Sequence, residues 1–129
     1  MEHTPAGKHE WNPSSEETFT GKVWSSFLSK AEDRTVTAIG VMFGPGARSY
    51  WHSHPEGQVL YVTSGAGRAG SADGKVVEIG AGDVVYTAGG EQHWHGANPT
   101  SYMMHVSLTT GGTTIWTPKE VTDEEYNAV

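Results

Sequence analysis

A chain of 129 residues is the size of one domain with one core, and its formal charge of -7, with Lys and Arg scattered, sets aside nucleic acid and anionic membrane as partners. With no cysteine it holds no disulfide, no thiolate nucleophile and no Cys-ligated zinc. No window is long and apolar enough to span a bilayer and the N-terminus lacks a signal-peptide core, so a cytoplasmic protein is expected.

Seventeen Gly among many Val and Thr favour a β fold with tight turns. Residues 1–16 are polar, carry Pro5 and Pro13, and cannot bury enough to fold alone. They are read as an arm carrying His3 and His9, ahead of a single domain over 17–129. Trp11 pins that arm either to the body or to a second subunit. A mixed strand, with an edge position open to it, is expected over 19–28 and a turn over 31–34. Residues 35–43 form a clear strand whose bulkier alternate set, Thr37, Ile39, Val41 and Phe43, is expected inside.

The stretch from Gly46 to Gly65 organises the chain. Read as a strand, it alternates faces, so His52 and His54 point the same way. Pro55 and Gly57 break it, and Gln58 opens the next strand, Val59-Leu60-Tyr61-Val62. A turn that small brings Gln58 back beside the two imidazoles. Asp73-Gly74 closes a hairpin between 66–71 and 75–79. The stretch from Gly82 to Gly96 repeats the device, with a short strand over 84–86, a bend at Gly89-Gly90, and His93 and His95 two apart on one face. Residues 102–109 form a strand whose alternate members include Met103, His105 and Ser107. A last short strand falls within 113–116. Thr122 and Glu125 form a capping box that opens a short terminal helix.

Eight to ten short strands with close turns imply a sandwich or barrel. One His on a sheet face is more often a packed residue than a ligand. Two His-x-His pairs in an apolar interior need a metal or a proton-transfer task. Two His and a side-chain carbonyl oxygen make most of a divalent-metal site.

Both clusters match the paired motifs of the cupin superfamily. The first is Gly46, His52-x-His54, Gln58 and Gly65; the second is Gly82, Ala88-x-Gly90, His93 and Ala97. The spacing is met throughout, with Gln58 for Glu, Ala88 for Pro and Ala97 for Asn. The resemblance implies an all-β double-stranded β-helix, or jelly-roll barrel, with a short C-terminal helix. More narrowly, Pro45-Gly-Ala-Arg48, Trp51-His52-x-His54-Pro55-x-Gly57-Gln58, Gly90-Glu91-x-His93-Trp94-His95-Gly96-Ala97, His105 and the 121–126 tail resemble the bacterial manganese-dependent hydroxynitrile lyases.

That resemblance implies metal ligands His52, His54, Gln58 and His93, with two coordination positions open. It implies Mn(II) first and Fe(II) next; Co(II), Ni(II) and Zn(II) suit the donors too. It implies a lyase that cleaves or forms cyanohydrins with the substrate oxygen on the metal. With Gln58 in place of Glu all four ligands are neutral, so the ion keeps its full charge and lowers the pKa of a bound hydroxyl further. His95 and His105 are the candidate acid/base pair; supporting the metal from behind is the alternative for His95, and a satisfied core histidine for His105. Ile39, Val41 and Thr109 are candidate lining of a pocket for a small-molecule substrate. Arg48 is expected to pair with a carboxylate, and Trp51 and Trp94 to face away from the metal. A dioxygenase or isomerase on a small carbonyl or phenolic substrate could use the same open positions, and a ligand-binding domain stapled by metal needs no turnover at all. A homodimer is expected from the resemblance.

Overall fold

Alternating apolar residues and frequent turn glycines give this chain twelve strands among the residues described by the computed structural model, 1–30 and 35–129. The turn expected over 31–34 lies outside them. In order the strands are β1 (Asn12–Pro13), β2 (Phe19–Thr20), β3 (Val23–Ser29), β4 (Thr37–Phe43), β5 (Arg48–Ser49), β6 (His52–Ser53), β7 (Gln58–Ser71), β8 (Val76–Gly80), β9 (Val84–Thr87), β10 (His93–Ala97), β11 (Met103–Thr109) and β12 (Ile115–Trp116). One four-residue helix, α1 (Asp123–Tyr126), follows. The count exceeds the expected eight to ten because five of these strands are two residues long.

The strands form one curled sheet, a half-barrel, in the order β1-β3-β4-β11-β7-β10-β5-β2. β7 is long enough to serve both halves. Its first part, from Gln58, pairs with β9 and β11; its second, from Ala66, pairs with β8 and β10. The sheet turns over between them at Gly65, which has φ 77. A Cβ there would overlap the Tyr102 carbonyl oxygen, so the bend admits no side chain. The opposing strand bulges between Met104 and His105, which takes up the same curvature.

Two expected strands are cut where the chain changes partners. The strand over 19–28 divides because β2 pairs with β5 while β3 pairs with β4. The run into the first His pair is interrupted at Tyr50 and Trp51, whose N–H groups donate to Thr18 and Lys119. In the arm, Asn12 and Pro13 pair with Ser25 and Trp24, and the Trp11 ring lies across Gly40.

The core fills the concave face. Val23, Val41, Phe43, Val62, Ile79, Ala97 and Met103 are all buried, with Ile39 packed at the margin. Val36, just ahead of β4, is 40% exposed. A second cluster, Trp94, Val121 and Tyr126, covers the outer face of β10. α1 exists to make that cover, since four residues gain little from helix formation alone. Thr122 Oγ1 accepts from Glu125 N at 3.1 Å and Glu125 Oε1 accepts from Thr122 N at 3.0 Å, the capping box expected. Arg48 holds the approach: it donates to the Val121 carbonyl at 2.8 Å and pairs with Asp123 at 2.7 Å. Tyr126 donates to Ala97 O at 2.6 Å, with the Arg48 and Arg68 guanidiniums 4.5 and 4.8 Å from its ring.

Candidate metal centre

His93 and His95 alternate with Trp94 on β10, so both imidazoles face the concave side while the indole faces α1. β10 pairs with β6 at His93 opposite His52, which sets those two rings 4.3 Å apart by centroid. His54 follows just beyond β6; its ring lies 5.1 Å from His52 and 5.4 Å from His93. Gly57, at φ 86, turns the chain directly back so that Gln58 starts β7. A Cβ there would come 2.6 Å from the Thr87 carbonyl oxygen. Gln58 then stands inside, with Oε1 3.0 Å from His93 Nε2. All five side chains are buried.

The nitrogens are sorted by backbone carbonyls. His52 Nδ1 donates to Tyr50 O and His93 Nδ1 to Glu91 O, both at 2.9 Å. Each bond leaves the Nε2 lone pair of a neutral ring facing the cluster. The rings are neutral: burial pushes His52 far below the usual histidine pKa, lowers His93, and brings His54 to about 4. His93 Nε2 therefore meets Gln58 Oε1 as lone pair against lone pair. A shared cation resolves that contact, and 3.0 Å is also the separation of two ligands at right angles about 2.1 Å from one ion. His54 Nε2 is buried with no hydrogen-bond partner. The donor set thus fits a divalent ion.

Three residues outside the expected set complete the surroundings. Ser107 Oγ accepts from Gln58 Nε2 at 2.7 Å and so fixes which end of the carboxamide faces the histidines. Thr114 Oγ1 lies 3.4 Å from His54 Nδ1, and the Trp116 ring lies 4.7 Å from that of His52. Ser107 was visible in the alternation with His105. Thr114 and Trp116 carried no signal, because β12 reaches the site only through its pairing with β6.

The structure brings His95 closer to the centre than the motif implies. His52, His93 and His95 offer nitrogens all within 4.8 Å of one another. His95 Nδ1 lies 3.0 Å from His105 Nε2, and both rings rest against Phe43. His95 Nε2 and His105 Nδ1 are buried without partners. Burial holds His95 far below the ordinary histidine pKa, with His105 beside it adding to the effect, and lowers His105 to about 3. Of the expected pocket residues, Val41 stands opposite His105, Ile39 opposite Ser107 and Thr109 opposite Gln58.

The cupin domain model matches residues 41–110. The chain is 46% identical over 111 residues to an (R)-mandelonitrile lyase of Granulicella tundricola, covering 84% of this chain and 85% of that one. A cupin-like protein of Thermotoga maritima is 38% identical, with a TM-score of 0.84 over 88% of this chain and 89% of that one. The polyketide cyclase RemF of Streptomyces resistomycificus shares the fold at 15% identity, with a TM-score of 0.79 over 98% and 90% of the two chains. The chain belongs to the cupin family, as a small single-domain member with a buried histidine cluster able to hold a divalent metal. Among the described residues no helix is long and apolar enough to cross a membrane.

Proposed function

We propose that the chain is a metal-dependent lyase that splits small cyanohydrins, of which mandelonitrile is the test case, into a carbonyl compound and hydrogen cyanide. The observation that carries it is the buried cluster in which Gln58 Oε1 faces His93 Nε2 and the free His95 Nε2 stands alongside. The likeness to a mandelonitrile lyase across 84% of the chain supports the substrate class.

His52, His54, Gln58 and His93 would hold the ion. When bound, a divalent ion, Mn(II) by preference, supplies Lewis-acid polarisation of the substrate oxygen. His95 is neutral at neutral pH, so its Nε2 takes the hydroxyl proton. The oxygen lone pair becomes the new C=O bond, and the C–C bond electrons leave with cyanide. The proton then passes from His95 to cyanide. His105, bonded to His95 Nδ1, orients that ring. Buried apolar walls exclude water, which would otherwise compete for the proton.

The test is benzaldehyde release from mandelonitrile by metal-loaded protein. Activity present in the wild type and lost in His52→Ala supports the reading. Oxygen uptake with a catechol or diketone and Fe(II), without benzaldehyde release, replaces it by an oxygenase. One observation favours a second assignment for His95: its nitrogen lies within 4.8 Å of those of His52 and His93, so it could serve as a ligand. Metal content of His95→Ala separates the two, since a base can be removed without loss of metal.

A further inference from the structure

His52, His54 and His93 are not held alike. His52 and His93 each donate Nδ1–H to the carbonyl two residues back in the chain, Tyr50 O and Glu91 O, at 2.9 Å. At His54 the contact is a side chain sixty residues away: Thr114 Oγ1 lies 3.4 Å from Nδ1. The longer contact makes His54 the ring held least firmly of the three.

Thr114 arrives on a strap. Residues 110–114 leave β11, pass over the turn that follows His54, and enter β12. Gly112 runs so close to that turn that a Cβ would come 2.9 Å from Pro55 Cγ. β12 then pairs with β6, Ile115 opposite Ser53 and Trp116 opposite His52, and Thr117 N donates to Trp51 O at 2.9 Å. The Trp116 ring packs between His52 and Phe19, at 4.7 and 5.5 Å by centroid. Alternation along the strap turns Thr114 inward, half-buried, while Ile115 is 54% exposed.

We infer that Thr114 positions His54 as a metal ligand, so that the strap completes the metal centre. The hydroxyl oxygen accepts Nδ1–H, and the lone pair of the neutral ring is left on Nε2. That Nε2 is buried with no hydrogen-bond partner. Fixing one ring nitrogen decides which nitrogen an ion takes and how the ring stands toward it. The inference rests on His54 as a ligand, which belongs to the lyase reading, and takes nothing from the reaction itself.

The test measures zinc affinity by competition with a chelating dye and reads the histidine ring nitrogens of isotope-labelled, zinc-loaded protein by NMR. His54 should show a protonated Nδ1 and a zinc-bound Nε2. Thr114→Val keeps the shape and removes the acceptor, so affinity should fall about tenfold to a hundredfold. The His54 Nδ1–H signal should shift or broaden while those of His52 and His93 stay in place. Thr114→Ser should restore both readouts. Ile115→Thr, on the same strap but facing outward, should match the wild type in both. Zinc on His54 Nδ1, full affinity in Thr114→Val, no rescue in Thr114→Ser, or an equal loss in Ile115→Thr would each overturn the inference. If Thr114→Val binds zinc fully and the wild type still releases benzaldehyde, the strap falls and the lyase stands. If affinity falls and returns as expected but mandelonitrile yields no benzaldehyde, the lyase reading falls and the role of Thr114 stands.

Discussion

Gln58 donates its amide to Ser107 Oγ at 2.7 Å, and the carbonyl end is thereby held against His93 at 3.0 Å. A carboxylate would bind an ion from either oxygen, but a carboxamide must be aimed. Ser107→Ala should therefore lower metal affinity about tenfold, the usual scale for partners that orient a ligand. Isothermal titration with Mn(II) reads it; unchanged affinity would show that Gln58 needs no aiming.

Gln58→Glu should do the opposite to affinity and harm the chemistry. A carboxylate adds a negative charge to the ligand set, so metal should bind at least about tenfold tighter. The same charge weakens polarisation of the substrate oxygen, and kcat should fall by about tenfold or more. A variant with tighter metal and faster turnover would refute the role given to the neutral ligand set.

His95→Ala should keep its metal and lose about 10²- to 10⁴-fold in kcat, the range for a positioned base. His105→Phe should cost less, because it removes the partner that orients His95 and leaves the base in place. Equal metal loss in both variants would make the pair structural.

Acid should unfold the metal-free protein early. His54 and His105 titrate near 4 and 3 in the folded chain and near 6.5 when unfolded. Between those values the unfolded chain holds protons that the folded one does not. Stability is thus complete above about pH 6.5 and falls as the pH drops toward 3, by about 1.4 kcal/mol per pH unit per group. Thermal melts of metal-free protein from pH 7.5 to 4 check this; a flat melting temperature contradicts buried, neutral rings.

We expect a homodimer through the convex face of the sheet. Tyr61 stands opposite Val84 and Val106, and Val59 opposite Tyr86 and Leu108. Tyr61, Val84, Tyr86 and Leu108 are 37–66% exposed, and none of these six is charged. A contiguous apolar patch on a chain of charge -7 is where a second copy can approach without repulsion. Sedimentation should show a dimer that Tyr86→Lys with Val84→Glu converts to monomer; a monomeric wild type refutes it.

The sequence exposed what period-two alternation controls. The concave placement of Val41 and Phe43, the turn at Gly57 and the outward face of Trp94 follow from strand periodicity and turn chemistry, both local. The capping box at Thr122 is local as well. The strand breaks between β2 and β3 and at Tyr50 were hidden because they depend on which distant strand supplies the hydrogen bonds. Thr114 and Trp116 were hidden for the same reason, since β12 meets β6 across some sixty residues of chain. The pairing of His95 with His105 needs the register of β10 and β11 on either side of β7, which no single stretch encodes.

Elemental analysis of wild type beside His93→Ala tests the metal centre most directly. The wild-type chain should carry about one divalent ion, as purified or after loading with Mn(II), and the variant less than about a tenth of that. A wild type that takes up no ion, or a variant that keeps its full complement, would contradict it.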